Sequence, residues 1–271
     1  MHSLPHLTAI TGGIGAGKSV VSSVLRAMGY QVYDCDSRAK AIMDSDAALR
    51  LRIAENLDAP EVLNSDGSLN RQELSRIVFD DHSKLNVLNS LVHGAVKADI
   101  RRWLARLAAE GVRRAFVETA ILFESGLDSQ VDDLWQVVAP DDVRIRRVCR
   151  RNGLTPEQVR ARIAAQSTDI PPHFSRPVTT IENAPGIPLL PPLSTLPSPL
   201  SPLHNKTTTT DAAASVVVVL RERGELSLFS PGRPMSLHPS AYSAASGGRR
   251  RDIRWEAWCP HTRSRIPGTA T

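Results

Sequence analysis

The spacing of hydrophobic and polar residues changes several times along the first part of the chain. Short apolar runs at 7–11 and 30–33 predict two strands, and the segment between them, 19–28, repeats its apolar residues at helical spacing. A strand, a helix and a second strand within about thirty residues form a βαβ unit. The pattern therefore predicts an α/β fold with a parallel sheet flanked by helices.

A long helical region follows this unit. Apolar residues recur at helical spacing over 37–56, 69–80 and 83–107, with turn residues at 64–67. Buried-type strands are predicted afterwards, over 114–122 and 134–139. Because so much helix separates two strands of one sheet, the pattern predicts a helical subdomain, 37–107, inserted into the sheet domain.

The remaining periodic segments are two helices and a strand. Residues 141–150 form an arginine-rich helical pattern, and the capping-box sequence of Thr155 and Gln158 begins another helix that runs to about 166. A last strand is predicted over 178–182. Pro171 and Pro172 exclude a helix at their position, because proline cannot occupy a helix interior.

The first candidate chemistry lies between the first strand and the first helix. The residues from Gly12 to Ser19 fit G-x-x-x-x-G-K-[ST], the phosphate-binding loop (P-loop), in which backbone amides surround a triphosphate. Lys18 is expected to neutralise the β- and γ-phosphates, and the Ser19 hydroxyl to bind Mg²⁺. The residues expected to contact ATP are Gly12, Gly13, Ile14, Gly15, Ala16, Gly17, Lys18, Ser19 and Val20. The alternatives are a glycine-rich turn that binds nothing and a dinucleotide-binding loop, although the latter needs no Lys-Ser pair here.

Two carboxylates, Asp34 and Asp36, follow the second strand. The carboxyl edge of an open parallel sheet faces the ligand crevice, so both side chains are candidates for accepting a hydroxyl proton or for lying near the metal. The alternative is a helix N-cap, a position that favours aspartate. Functional roles are favoured for Asp36, and the two interpretations of Asp34 are equally weighted.

Other candidates carry a weaker signal. Five arginines lie within residues 144–151, where they form either a solvated helix face or a lid over the transferred phosphoryl group. Glu118 interrupts a buried strand and could lie near Mg²⁺ or serve a structural purpose. His93 lies on the long predicted helix, where a lone histidine is more often structural than functional.

Composition divides the chain at about residue 186. Of the 19 prolines, 11 fall after this point, and the net charge of +5 arises there, because 1–186 carries 23 basic and 23 acidic side chains. The balanced charge of 1–186 gives no indication of nucleic-acid binding. We expect a globular domain at 1–186 and a low-complexity, disordered tail at 187–271, in which 211–223 could form a helix. Three cysteines without a C-x-x-C pair, and no apparent signal peptide or membrane span, predict a cytoplasmic protein.

The motifs occur in the order found in one family. TGGIGAGKS, a strand ending in DCD, DGSLNRQELSRIVFDD, LNSLVH, ETAILFESG and RRVCRRNGLTPEQVRARIAAQ together resemble the dephospho-CoA kinases. The resemblance covers about residues 7–166. It implies a P-loop kinase with a helical CoA-binding subdomain and a small lid, 141–176, which transfers the γ-phosphate of ATP to the ribose 3′-hydroxyl of dephospho-CoA.

The resemblance also implies roles for individual residues. Asp36 is the expected catalytic base beside Lys18, and Asp34 and His93 are expected to contact the acceptor. Arg147 and Arg151 match the lid arginines that close over ATP, with Arg147 also catalytic. If the segment after Gln166 is placed in near-register, Arg176 matches the arginine that follows the family's lid helix, and Asn183 matches the asparagine that reaches the adenine.

Two departures and two alternatives accompany the resemblance. His93-Gly94 stands where the family usually has His-Pro, and Ala120 stands where it has proline. No resemblance extends beyond residue 186, as expected for a reading-frame change or a natural disordered tail. The alternative functions are another nucleoside or nucleotide kinase, and a nucleotide-binding protein inactivated by its altered C-terminus.

Overall fold

A five-stranded parallel sheet forms the centre of the computed structural model, which describes residues 3–79, 81–187, 196, 217–220 and 226–229. The strand order is β2-β3-β1-β4-β5. The five strands are β1 (His6–Thr11), β2 (Gln31–Asp34), β3 (Arg114–Glu118), β4 (Asp133–Val138) and β5 (Val178–Glu182). The predicted α/β fold with a parallel sheet is confirmed.

The sheet is buried on both faces. Alternate residues of β3 enter different cores: Ala115 and Val117 pack with the helical insert, whereas Phe116 packs against helix α1 (Lys18–Ala27). This division follows from the alternation of side chains along a strand. It explains why the strands read as continuous apolar runs, as expected for a parallel sheet covered by helices.

The helical insert lies between β2 and β3. It contains α2 (Cys35–Ser45), α3 (Ala47–Leu57), α4 (Arg71–Phe79) and α5 (His82–Ala109). The helical spacing predicted over 37–56 is divided between α2 and α3. The backbone breaks at Asp46, which ends α2 and also caps α3 by accepting a hydrogen bond from the Leu49 amide.

The C-terminal part of the domain contains α6 (Asp141–Asn152), α7 (Pro156–Ala165) and β5. The capping box of Thr155 and Gln158 is present, and no helix interrupts residues 167–177. Strand β3 ends at Glu118, four residues before the predicted end at 122. The residues that follow leave the sheet and form a turn.

Two further strands, β6 (Val217–Leu220) and β7 (Leu226–Phe229), form an antiparallel pair. The helix considered for 211–223 is therefore wrong over 217–220. The rest of the predicted disordered tail lies outside the described residues, apart from Leu196. Among the helices that the structure describes, none combines the length and the apolar character needed to cross a membrane.

Candidate active site

The P-loop connects the carboxyl end of β1 to helix α1 and lies close to the neighbouring chain. A Cβ at Gly12 would overlap the Val137 carbonyl oxygen of β4. Gly17 adopts φ 99° as the N-cap of α1, and a Cβ there would overlap the Asn183 amide nitrogen. These glycines let the loop pack against β4 and β5, so its backbone amides and the positive end of α1 surround one small space.

The Lys18 side chain lies back across the loop. Its Nζ donates to the Gly12 carbonyl at 2.7 Å, and a second contact, to the Gly13 carbonyl, measures 3.5 Å. A lysine held in this way places its positive charge over the concave side of the loop. That position suits a cation that neutralises phosphate groups bound by the loop.

Ser19 lies beside a buried carboxylate of β3. The Ser19 hydroxyl donates to Glu118 Oε1 at 3.0 Å, and the Glu118 side chain is only 9% exposed. Hydroxyl and carboxylate oxygens are ligands that Mg²⁺ accepts together with phosphate oxygens and water. The donor set therefore fits the metal that usually accompanies a P-loop. From the sequence alone, Glu118 could either lie near Mg²⁺ or serve a structural purpose.

Asp34 and Asp36 differ in their surroundings. Asp34 is the N-cap of α2, and its carboxylate accepts hydrogen bonds from the Asp36 amide at 3.0 Å and from the Ser37 amide at 3.1 Å. Asp36 lies in the first turn of the same helix. Burial raises the pKa of the Asp36 carboxyl, the charges of Asp34 and Glu118 raise it further, and Lys18 opposes them. A carboxyl whose pKa is raised in a cleft is suited to general-base catalysis.

The cavity beside Asp36 extends towards the helical insert. Its walls include Asp36 of α2, Thr119 after β3, and His93 and Lys97 of α5. The pKa of His93 is lowered by burial and by the positive charge of Lys97, so the imidazole is held neutral over a wider pH range. The cavity thus connects the end of the sheet with the helices that the sequence predicts to bind the acceptor.

Arg147 of α6 contacts the other side of the P-loop. Its guanidinium lies 3.4 Å from the Ala16 carbonyl oxygen and donates to Asn183 Oδ1 at 3.2 Å. The buried Asn183 amide in turn donates to the Ala16 carbonyl at 2.8 Å. The P-loop is therefore joined by one cluster of hydrogen bonds to Arg147 and Asn183, which are far from it in the sequence.

Arg144 is a loop contact that the sequence did not single out. Its Nε donates to the Ile14 carbonyl at 2.9 Å, and its backbone lies against Gly15. Residues 144, 147 and 151 share one face of α6, which is the signal that could have selected them from the five arginines.

The residues of this site lie within a region that matches a known protein family. The family model for dephospho-CoA kinase matches residues 6–183, which include the P-loop, Asp36, His93, Arg147 and Asn183. The chain belongs to the dephospho-CoA kinase family. The match continues past Gln166 to the end of β5, which supports the near-register placement of that segment.

Relatives of this family member include named enzymes of several bacteria. The dephospho-CoA kinase of Geobacillus kaustophilus is 38% identical over 158 residues, covering 58% of this chain and 78% of the relative. That of Anaeromyxobacter dehalogenans is 41% identical over 157 residues, covering 58% and 74%. The crystal structure of TT1252 from Thermus thermophilus is 34% identical, with a TM-score of 0.50, over 67% of this chain and 90% of that one.

The remaining arginines of the dephospho-CoA kinase resemblance are Arg151 and Arg176. Arg151 is exposed, and its Nε donates to Asn152 Oδ1 at 2.8 Å, so its role in binding ATP stays a prediction. Arg176 precedes β5, and its matched role also stays a prediction. Its guanidinium donates to the carbonyls of Ser129 and Val131, which precede β4 at the opposite edge of the sheet from the P-loop.

Proposed function

We propose that this chain transfers the γ-phosphate of ATP to the ribose 3′-hydroxyl of dephospho-CoA, the last step of coenzyme A biosynthesis. Family membership supports a kinase that uses ATP. One observation carries the assignment of the reaction to this site. Asp36 lines the cavity shared with His93 of the helical insert, and the positive charge of Lys18 of the P-loop opposes the rise in the pKa of the Asp36 carboxyl.

The P-loop supplies the donor half of the proposed site. The loop from Gly12 to Val20 surrounds the phosphates of ATP, with the Ile14 amide directed to Gln166 rather than to phosphate, and Lys18 neutralises the β- and γ-phosphates. We assign Asn183 and Arg151 to the nucleotide, with Asn183 fixing the loop through Ala16. Ser19 and Glu118 would hold Mg²⁺, which, when bound, neutralises charge on the phosphates during transfer.

The helical insert supplies the acceptor half. We assign residues 37–107 to binding of dephospho-CoA and residues 141–176 to the lid. Asp34 fixes the start of α2, and thereby the position of Asp36, through its hydrogen bonds to the first turn. His93 contacts the acceptor from α5.

The proposed reaction is an in-line displacement at the γ-phosphorus. Asp36 accepts the proton of the 3′-hydroxyl as that oxygen bonds to the γ-phosphorus, and the bond from phosphorus to the bridging oxygen breaks, releasing ADP. Arg147 stabilises the charge that develops on the transferred group.

We also propose a cytoplasmic location and small-molecule partners. The free thiols of Cys35 and Cys149 suit a reducing compartment, and the balanced charge of 1–186 suits small substrates better than nucleic acid.

An acceptor panel tests the proposal. Purified full-length protein is incubated with ATP, Mg²⁺ and, separately, dephospho-CoA, nucleosides and nucleoside monophosphates, and ADP release and product mass are measured. We expect dephospho-CoA to be the preferred acceptor, by a factor of at least about 100 in kcat/KM. Preference for a nucleoside or nucleotide would identify another kinase, and ATP binding without transfer to any acceptor would identify an inactive protein.

A further inference from the structure

Gln166, the residue that follows α7, lies against the P-loop. Its side-chain oxygen Oε1 accepts a hydrogen bond from the Ile14 backbone amide, with a nitrogen–oxygen distance of 2.7 Å. Because a backbone amide only donates, this contact fixes which branch of the carboxamide faces the loop. The Nε2 group, with two N–H donors, is directed away from Ile14.

Both backbone polar groups of Ile14 are hydrogen-bonded. Its carbonyl accepts from Arg144 Nε at 2.9 Å, and Arg144 is itself paired with Asp141 at 2.9 Å. The loop position at Ile14 is therefore maintained by Arg144 as well as by Gln166. A carboxamide anchored to a fixed peptide has a defined orientation, which a free surface glutamine lacks.

Gln166 also lines a cavity at the carboxyl end of the sheet, next to the start of the P-loop. The cavity walls include Thr11 and Gly12 at the end of β1 and Ala120 just after β3. The Lys18 ammonium, which reaches the β- and γ-phosphates in P-loop proteins, binds the Gly12 carbonyl at the same edge. The segment after Gln166 is held there as well, because Gln136 of β4 donates to the Thr168 carbonyl at 2.7 Å.

We propose that Gln166 is a further catalytic residue, whose Nε2 donates a hydrogen bond to the γ-phosphoryl group while Oε1 remains on Ile14. This inference rests on the proposed kinase function. Gln166 transfers no proton. It supplies a preoriented donor to an oxygen whose charge changes as the phosphorus moves from the bridging oxygen to the acceptor, and such donors stabilise the transition state.

The variant Gln166→Glu separates the two branches of the side chain. The carboxylate can still accept from the Ile14 amide, but it lacks the donor and places a negative charge beside the phosphate. We expect ATP binding, measured without acceptor, to weaken at least about tenfold, while ADP binding changes less than about threefold, because ADP has no γ-phosphate. We expect kcat to fall about 100-fold.

The matched control is Gln158→Glu. Gln158 is exposed on the first turn of α7, and glutamate also completes a capping box there, so this variant adds the same charge at the other end of the helix that Gln166 follows. It should match the wild type in all three measurements. Gln166→Met, which has nearly the same volume but neither donor nor acceptor, provides a neutral second variant, and it should lose affinity for ATP but not for ADP.

Three results would overturn the inference: wild-type ATP affinity and kcat in Gln166→Glu, equal losses for ATP and ADP in the variants, or tighter ATP binding by Gln166→Met. The last would show that Gln166 competes with the nucleotide. Failure of the wild type to phosphorylate dephospho-CoA would contradict the proposed function instead, and the comparison of ATP with ADP would still decide the role of Gln166. Thermal unfolding identifies which variants are folded and can be compared.

Discussion

The Ser19 hydroxyl donates to the Glu118 carboxylate over 3.0 Å, which joins the first turn of α1 to the end of β3. This relationship arises because β1 and β3 are parallel neighbours, with Ile10 opposite Glu118. The residue that follows the P-loop lysine and the acid that ends the adjacent strand therefore face the same point. The pair is the proposed protein contribution to the Mg²⁺ site.

Replacement of Glu118 tests this pair. In Glu118→Gln we expect the Mg²⁺ concentration for half-maximal activity to rise roughly tenfold, because the amide keeps the shape but loses the charge that attracts the cation. A magnesium titration of kcat measures the change. Glu110→Gln, an exposed carboxylate before β3 at the other edge of the sheet, should leave the titration unchanged. An unchanged titration in Glu118→Gln would remove Glu118 from the metal site.

Arg147 should matter more to the reaction than its neighbours on α6. Truncation in Arg147→Ala removes both the contact with the Ala16 carbonyl and the charge beside the loop, and we expect kcat to fall by a factor of about 100 to 1,000. Arg146→Ala is the matched control, because Arg146 is 70% exposed and pairs with Asp142 on the surface. Steady-state kinetics compare the two, and equal rates would contradict the role of Arg147.

The raised pKa of Asp36 gives a prediction about stability and pH. Burial, followed by the charges of Asp34 and Glu118, raises the pKa of this carboxyl in the folded protein above its unfolded value. Protonation therefore favours the folded state, and this stabilisation is lost as the pH rises through the folded pKa. At pH 8 the partly buried carboxylate destabilises the protein, whereas an amide at the same position carries no charge.

Asp36→Asn should accordingly be more stable than the wild type at pH 8, by on the order of 1 kcal/mol. The difference should shrink as the pH falls towards 4, and urea unfolding at several pH values measures it. The control Asp142→Asn alters an exposed carboxylate of α6 and should show no such gain. A variant less stable than the wild type at pH 8 would contradict the proposed environment of Asp36.

The tail should be dispensable for the reaction. All residues assigned to the site lie within 12–183, and the last strand of the five-stranded sheet ends at Glu182. We expect a chain that ends at Gly186 to match the full chain in kcat and KM within about twofold, because no assigned contact is removed. A coupled assay of CoA formation compares them, and a large loss on truncation would show that the site requires residues beyond 186.

The sequence predicts the local parts of this site well. The P-loop, the strand before it and the capping box at Thr155 each depend on neighbouring residues, and the structure contains all three. Asp34 was also predictable from neighbouring residues. The sequence allowed a helix N-cap at this position, and in the structure Asp34 caps α2. The break at Asp46 is also local, but one residue there serves two helix ends, which hydrophobic spacing does not reveal.

Contacts between distant segments are the part that the sequence could not supply. The pairing of Ser19 with Glu118 depends on which strands are neighbours, and the contact of Gln166 with Ile14 depends on the path of the chain after α7. The arginine pattern of α6 identified a charged helix without its orientation towards the loop. The contact of Arg176 with the carbonyls of Ser129 and Val131 likewise depends on which strands are neighbours.

The central claim is that Asp36 activates the 3′-hydroxyl of dephospho-CoA for attack on ATP held by the P-loop. The most direct test compares the wild type with Asp36→Asn in CoA formation, and ATP affinity is measured in the same preparations. We predict CoA formation by the wild type and a loss of at least about 1,000-fold in kcat for Asp36→Asn, with ATP affinity unchanged within about threefold. Turnover by Asp36→Asn at a rate near that of the wild type would contradict the account.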